Sequence, residues 1–128
     1  MNLKISKKNL ISLSKIKRPL VFVPMAADIL HHGHINILKK SYKLGSVVVG
    51  LLTDNGLKSY KGAPIIKYKN RKIILESIKY VNFIIPLNGL YFNDIVKVLK
   101  PEFFVHGTDW RKGVQSIVRK NLFKIMKK

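Results

Sequence analysis

Apolar residues change their spacing several times along the chain. Leu20 to Met25 is a nearly unbroken apolar run rich in β-branched and aromatic residues, the pattern of a strand buried on both faces of a parallel sheet. From His34 to Leu44 the step becomes three and four residues, which puts Ile37, Leu38, Tyr42 and Leu44 near one helix face, and Gly45 supplies a stop. Ser46 to Thr53 is a second buried strand. Between Asp54 and Lys69, two glycines, Pro64 and several lysines interrupt any sustained period, so the stretch reads as a long functional loop or a short frayed element. Asn70 can cap a helix carrying Ile73, Ile74, Ser77 and Ile78 inward, with a third strand from Val81 to Pro86. Asn93 or Asp94 caps another helix, with Ile95, Val98 and Leu99 inward and an end at Lys100-Pro101. Glu102 to His106 is a fourth strand, and a loop from Gly107 to Gly113 leads into a basic helix through Met126.

This alternation predicts an α/β fold: one Rossmann-like domain with a doubly wound parallel sheet and right-handed crossovers. The domain is expected over residues 19–128, and residues 1–18 read as a basic, flexible or weakly helical arm. With 128 residues and 47% hydrophobic composition the chain can bury a core. The absence of cysteine excludes a disulfide scaffold, thiolate-bound zinc and a cysteine nucleophile. No apolar run reaches the roughly 18 to 20 residues that span a bilayer. Pro19 to Ala27 mimics a secretory signal, but cleavage there would remove the first core strand, so the expected location is cytoplasmic.

The net charge of +19 points toward an anionic partner such as nucleic acid. Its distribution weakens that reading. Residues 1–18 hold six basic side chains and residues 111–128 hold seven, with no acid in either, whereas residues 19–110 carry twelve bases against six acids. Six of those twelve lie between Lys58 and Lys72.

In doubly wound sheets ligands bind beyond the carboxyl ends of the strands. The segment after the first strand reads Asp28-Ile29-Leu30-His31-His32-Gly33-His34. It joins a strand end to a helix start, whose amides and positive dipole end favour anions. His31 and His34, three apart, would point the same way, as two imidazole donors at a phosphate site. A transition metal held by His31, His34 and Asp28 is the alternative for the same residues.

Asp28 to His34 resembles the HxGH signature of the nucleotidyltransferase superfamily, and further blocks follow in the same order. These are Thr53-Asp54, the loop Ser59-Tyr60-Lys61-Gly62-Ala63-Pro64, Asn70-Arg71-Lys72, and His106-Gly107-Thr108-Asp109-Trp110. The pattern is most similar to the cytidylyltransferases associated with phosphoenolpyruvate mutase, which make CMP-linked phosphonates. That resemblance implies transfer of CMP from CTP, with Mg²⁺, to a phosphonate or phosphate acceptor such as 2-aminoethylphosphonate, releasing pyrophosphate. It implies that His31 and His34 stabilise the α-phosphate while Lys61 and Arg71 hold the triphosphate. Ala27, Asp28, Gly33, Gly107, Asp109 and Trp110 would contact the nucleotide, with no protein-bound metal. It also implies a homodimer. Thr108 replaces an acid that is usual in the family, and nothing like the Thr/Ser-bearing signature RTEGISST follows Gln115. Weak turnover by this chain alone is therefore expected.

An anionic acceptor needs neither a general base nor a protein nucleophile, so positioning and charge stabilisation suffice for such a reaction. The competing function is a nucleotide- or nucleic-acid-binding module that keeps the fold with little or no turnover. His106 reads as a structural histidine, His32 as exposed and uninvolved, and Lys58, Lys67 and Lys69 as a solvated face. Trp110 serves packing or binding, and Asp54 caps or turns as readily as it binds.

Overall fold

A computed structural model describes residues 7–59, 62–89 and 93–106. Lys61, Gly107, Asp109, Trp110 and the basic helix expected through Met126 lie outside the described residues. The elements are α1 (Lys7–Ser14), β1 (Leu20–Met25), α2 (His32–Leu44), β2 (Ser46–Leu52), α3 (Asp54–Lys58), α4 (Tyr68–Glu76), β3 (Phe83–Leu87), α5 (Asn93–Leu99) and β4 (Phe103–Phe104). The four strands form one parallel sheet in the order β3-β2-β1-β4. β1 lies opposite β2 from Leu20↔Ser46 to Met25↔Leu51, and it meets β4 at Val21↔Phe103 and Phe22↔Phe104. This is the expected α/β Rossmann-like architecture.

Alternation along the strands divides the core between the two sheet faces. Leu20, Phe22, Val48, Leu52, Ile85 and Leu87 pack with Leu13 of α1, Leu57 of α3 and three residues of α5. Val21, Val23, Val47, Val49, Leu51 and Ile84 face the other way, onto Leu38 of α2 and Leu75 of α4. Burial of each such side chain contributes about 1.5–3 kcal/mol. Both faces of the central strands are covered, which is why β1 and β2 read as unbroken apolar runs.

Several expected helix faces are different. In α4 the buried residues are Arg71 and Leu75, whereas Ile73 and Ile74 are exposed. The inner stripe is Tyr68, Arg71, Leu75 and Ile78, a three-four-three step that includes a charged residue and so is not an apolar period. The helix starts at Tyr68 with Lys67 as N-cap, three residues before the expected cap, Asn70. In α2, Tyr42 and Leu44 are exposed, and the Tyr42 ring tilts against Tyr80 with centroids 5.6 Å apart. In α5, Val96 is buried in place of Val98. Asp54 to Lys58, within the stretch read as a long loop or a short frayed element, is a short helix whose N-cap Thr53 accepts from Gly56 N–H.

The segment read as an arm carries α1, whose Leu13 is buried in the core. Arg18 ties it to the end of α5 and the start of β4. Its guanidinium donates to the carbonyls of Leu99 (2.7 Å) and Lys100 (2.8 Å) at the end of α5, and to Glu102 Oε1 (2.7 Å). There a cation satisfies helix-end carbonyls. Among the described residues no helix is long and apolar enough to cross a membrane.

Candidate active site

A cleft of about 520 Å³ opens where the chain leaves β1 and turns into α2. His31 and His34 line one side, with Asp28, Ala27, Ala63 and Ile65 around them. A larger cleft of about 650 Å³ lies between α1, α4 and the β3 edge. It holds no residue of the segment from Asp28 to His34.

The two imidazoles are locked by one reciprocal arrangement. His31 is the N-cap of α2, and its Nδ1 accepts the Gly33 N–H at 3.0 Å. His34, at the third helical position, returns the favour to the chain: its Nδ1 accepts the His31 N–H at 3.2 Å. The ring centroids stand 4.3 Å apart. A nitrogen that accepts an N–H carries no proton, so each ring holds its proton on Nε2, the nitrogen that can donate. Sequence spacing brought the two residues to one helix turn; the capping that sets their tautomers became visible only with coordinates.

Gly33 takes a different part from the one expected. Its N–H is spent on His31 rather than offered to a phosphate. A Cβ there would stand 2.7 Å from His31 Cε1, so the glycine is what leaves room for the capping ring. Asp28 is likewise occupied. Its two carboxylate oxygens accept the N–H groups of Ile65 (3.0 Å) and Ile66 (2.8 Å), which pulls the loop after Gly62 against the cleft. Among the described residues no group of three His, Cys, Asp or Glu side chains is arranged to hold a metal ion. Ala27 is buried at φ 50, a left-handed turn that is uncommon for a residue with a Cβ.

Arg71 corrects the expectation that it holds the triphosphate. The side chain is fully buried beneath the cleft, at 0% exposure. Its Nε donates to Ile66 O (2.8 Å), one terminal nitrogen donates to Ala26 O and Leu52 O (both 2.7 Å), and the other to Asp54 Oδ1 (2.8 Å). A guanidinium has five N–H donors, and four are engaged with protein, so it cannot also cradle phosphates. Asp54 matters more than its sequence context implied, since the same oxygen accepts the Tyr68 N–H at 2.9 Å. The Arg71 guanidinium lies 5.8 Å from the Tyr68 ring centroid. Burial pushes the Tyr68 phenol above its ordinary pKa, with Arg71 acting in the opposite direction. The three-four spacing of Tyr68, Arg71 and Leu75 is the sequence signal that would have placed Arg71 inside.

A family model described as cytidylyltransferase-like matches residues 26–127. The chain belongs to the cytidylyltransferase-like family. It is 35% identical over 107 residues to the bifunctional protein HldE of Helicobacter pylori strain J99, covering 81% of this chain and 23% of that protein. It is 32% identical over 109 residues to HldE of Campylobacter fetus, covering 83% and 24%. The chain thus spans about a quarter of the length of these curated relatives. Among solved structures it is similar to a lipopolysaccharide core biosynthesis protein from Thermoplasma volcanium, with a TM-score of 0.69 and 29% identity over 83% of this chain and 88% of that one. These matches support a cytidylyltransferase-like nucleotidyltransferase.

Proposed function

We propose that the chain transfers a nucleotidyl group from a nucleoside triphosphate, with CTP as the first candidate, to an anionic oxygen of a small phosphate or phosphonate. The acceptor oxygen forms a bond to the α-phosphorus, the bond from that phosphorus to the β-bridging oxygen breaks, and its electron pair leaves on pyrophosphate. The observation that carries this reading is the capped pair His31 and His34 beside the positive end of α2. Donors fixed in advance stabilise charge as it builds without reorganising. Lys61, next to Gly62 in the cleft loop, is assigned to the triphosphate, and Arg71 is not.

A Mg²⁺ ion arriving with the triphosphate would take phosphate and water as most of its ligands, because Asp28 is already engaged by the loop. Bound there, the ion would neutralise phosphate charge. For the acceptor, a sugar phosphate is the first candidate, on the ground that the Thermoplasma relative is described as a lipopolysaccharide core biosynthesis protein. The 59–64 and 106–110 blocks keep a phosphonate as the second candidate.

The deciding experiment is a pyrophosphate-release screen of CTP, ATP, GTP and UTP against a set of sugar phosphates, 2-aminoethylphosphonate, phosphocholine and glycerol phosphate. Release with one nucleotide–acceptor pair is expected. Silence with every pair, together with tight duplex binding at about 0.2 M salt, would replace the enzyme by a nucleic-acid-binding module.

A further inference from the structure

Arg71, Asp28 and Ile66 form a closed circuit beneath the cleft. Arg71 Nε donates to Ile66 O, Ile66 N–H donates to Asp28 Oδ1, and two residues before Asp28 the Ala26 carbonyl accepts from Arg71. Within that circuit sits Ala27, in the left-handed region. Such a conformation is costly for a residue with a Cβ, and it persists where surrounding contacts over-determine it. The same guanidinium also holds the end of β2 through Leu52 O and the start of α3 through Asp54. One buried cation therefore sets two strand ends, one helix start and the loop that borders the nucleotide cleft.

We propose that Arg71 is a positioning residue which fixes the 62–66 loop and the Ala27 turn against the cleft, acting on substrate through backbone carbonyls and Asp28 and never by contact. The proposal rests on reading that cleft as the triphosphate site. Its physical core does not, because the clamp is a property of the unliganded chain. Lysine at this position keeps the charge but lacks the planar fork, so it cannot serve Ile66, Ala26, Leu52 and Asp54 together. The loop should loosen while the sheet stays intact.

Amide hydrogen exchange on Arg71→Lys and Asp28→Asn tests the clamp without any turnover. Both variants should speed exchange at Ile65 and Ile66 by about tenfold or more, while Val47 to Leu51 in β2 stay within about twofold of the parent. In kinetics with the active nucleotide, each variant should raise KM by about tenfold and change kcat by less than about threefold. The double variant should be little worse than either alone, because both break one circuit. Unchanged exchange at residues 65–66, or KM losses that multiply in the double variant, would overturn the proposal. If Arg71→Lys does not fold, Asp54→Asn, which leaves the guanidinium in place but loosens its anchor, is read by the same two measurements. A parent chain that releases no pyrophosphate sinks the functional reading alone, and the exchange data still judge the clamp.

Discussion

At the residue scale, the histidine pair has two separable duties. Each Nδ1 caps a backbone N–H, and each Nε2 is the ring nitrogen left to donate by tautomer. Asparagine places an oxygen close to where Nδ1 stands and offers nothing at Nε2. His31→Asn and His34→Asn should therefore keep thermal stability within about 1 kcal/mol, the usual worth of an N-cap, while lowering kcat on the order of 10² to 10³. Paired melting curves and pyrophosphate-release rates check both halves; a loss confined to KM would show that the rings only anchor ground-state substrate. Gly33→Ala should disturb both duties of His31, driving the ring off its cap because the new Cβ would stand 2.7 Å from Cε1. This cluster was legible in the sequence because its parts are contiguous and the helix period alone brings them together. The duties of Asp28, Asp54 and Arg71 were not, since each depends on partners between 14 and 45 positions away.

At the scale of elements, strands were easier to read than helix faces. Burial on both sides writes an uninterrupted apolar run into β1 and β2, whereas α4 hides a charge and exposes two isoleucines. Ile73 and Ile74 supplied a false apolar stripe, and the true one is readable only if an arginine is allowed inside. The sequence left α3 open between a loop and a short element because its stability comes from Thr53 and from tight packing: a Cβ on Gly56 would meet Leu87 O and Asn88 C, each at 2.8 Å. Those are backbone atoms that cannot swing away. Gly56→Ala should cost about 1–3 kcal/mol in urea unfolding. At the other end of the sheet, Glu102 joins β4 to β1. Its carboxylate accepts the Leu20 N–H at 2.6 Å and the Arg18 guanidinium, and these bonds, the backbone one foremost, hold its pKa below the ordinary 4.5. A depressed carboxylate contributes stability above its unfolded pKa and loses it as pH falls through the folded value. The contribution should therefore be intact above about pH 5 and decline progressively as pH falls below 4.5, and Glu102→Gln should flatten that limb of the stability–pH curve.

At the scale of the whole molecule, charge and fold pull in opposite directions. The chain carries 25 Lys plus Arg against 6 Asp plus Glu, and among the described residues Glu102 pairs with Arg18 and Asp54 with Arg71. Most cations thus have no neighbouring anion by count alone, and self-repulsion weakens the compact state. Raising salt from about 0.02 to 0.2 M shortens the screening length from roughly 20 to 7 Å and should relieve that repulsion. The melting temperature should accordingly rise by a few degrees over this range, with sodium chloride and potassium chloride acting alike. Triphosphate affinity should move the other way over the same range, since the cleft loop lies in the stretch from Lys58 to Lys72 where half the basic residues of 19–110 are concentrated. Measured together by thermal melts and nucleotide titration, the two slopes of opposite sign separate general repulsion from a local anion site. A melting temperature that falls as salt is added would mean that attractive pairs, not repulsion, dominate the surface. A nucleotide affinity indifferent to salt would move the triphosphate away from the lysine-rich loop and onto the buried-helix side of the cleft, where His31 and His34 would have to carry its recognition unaided.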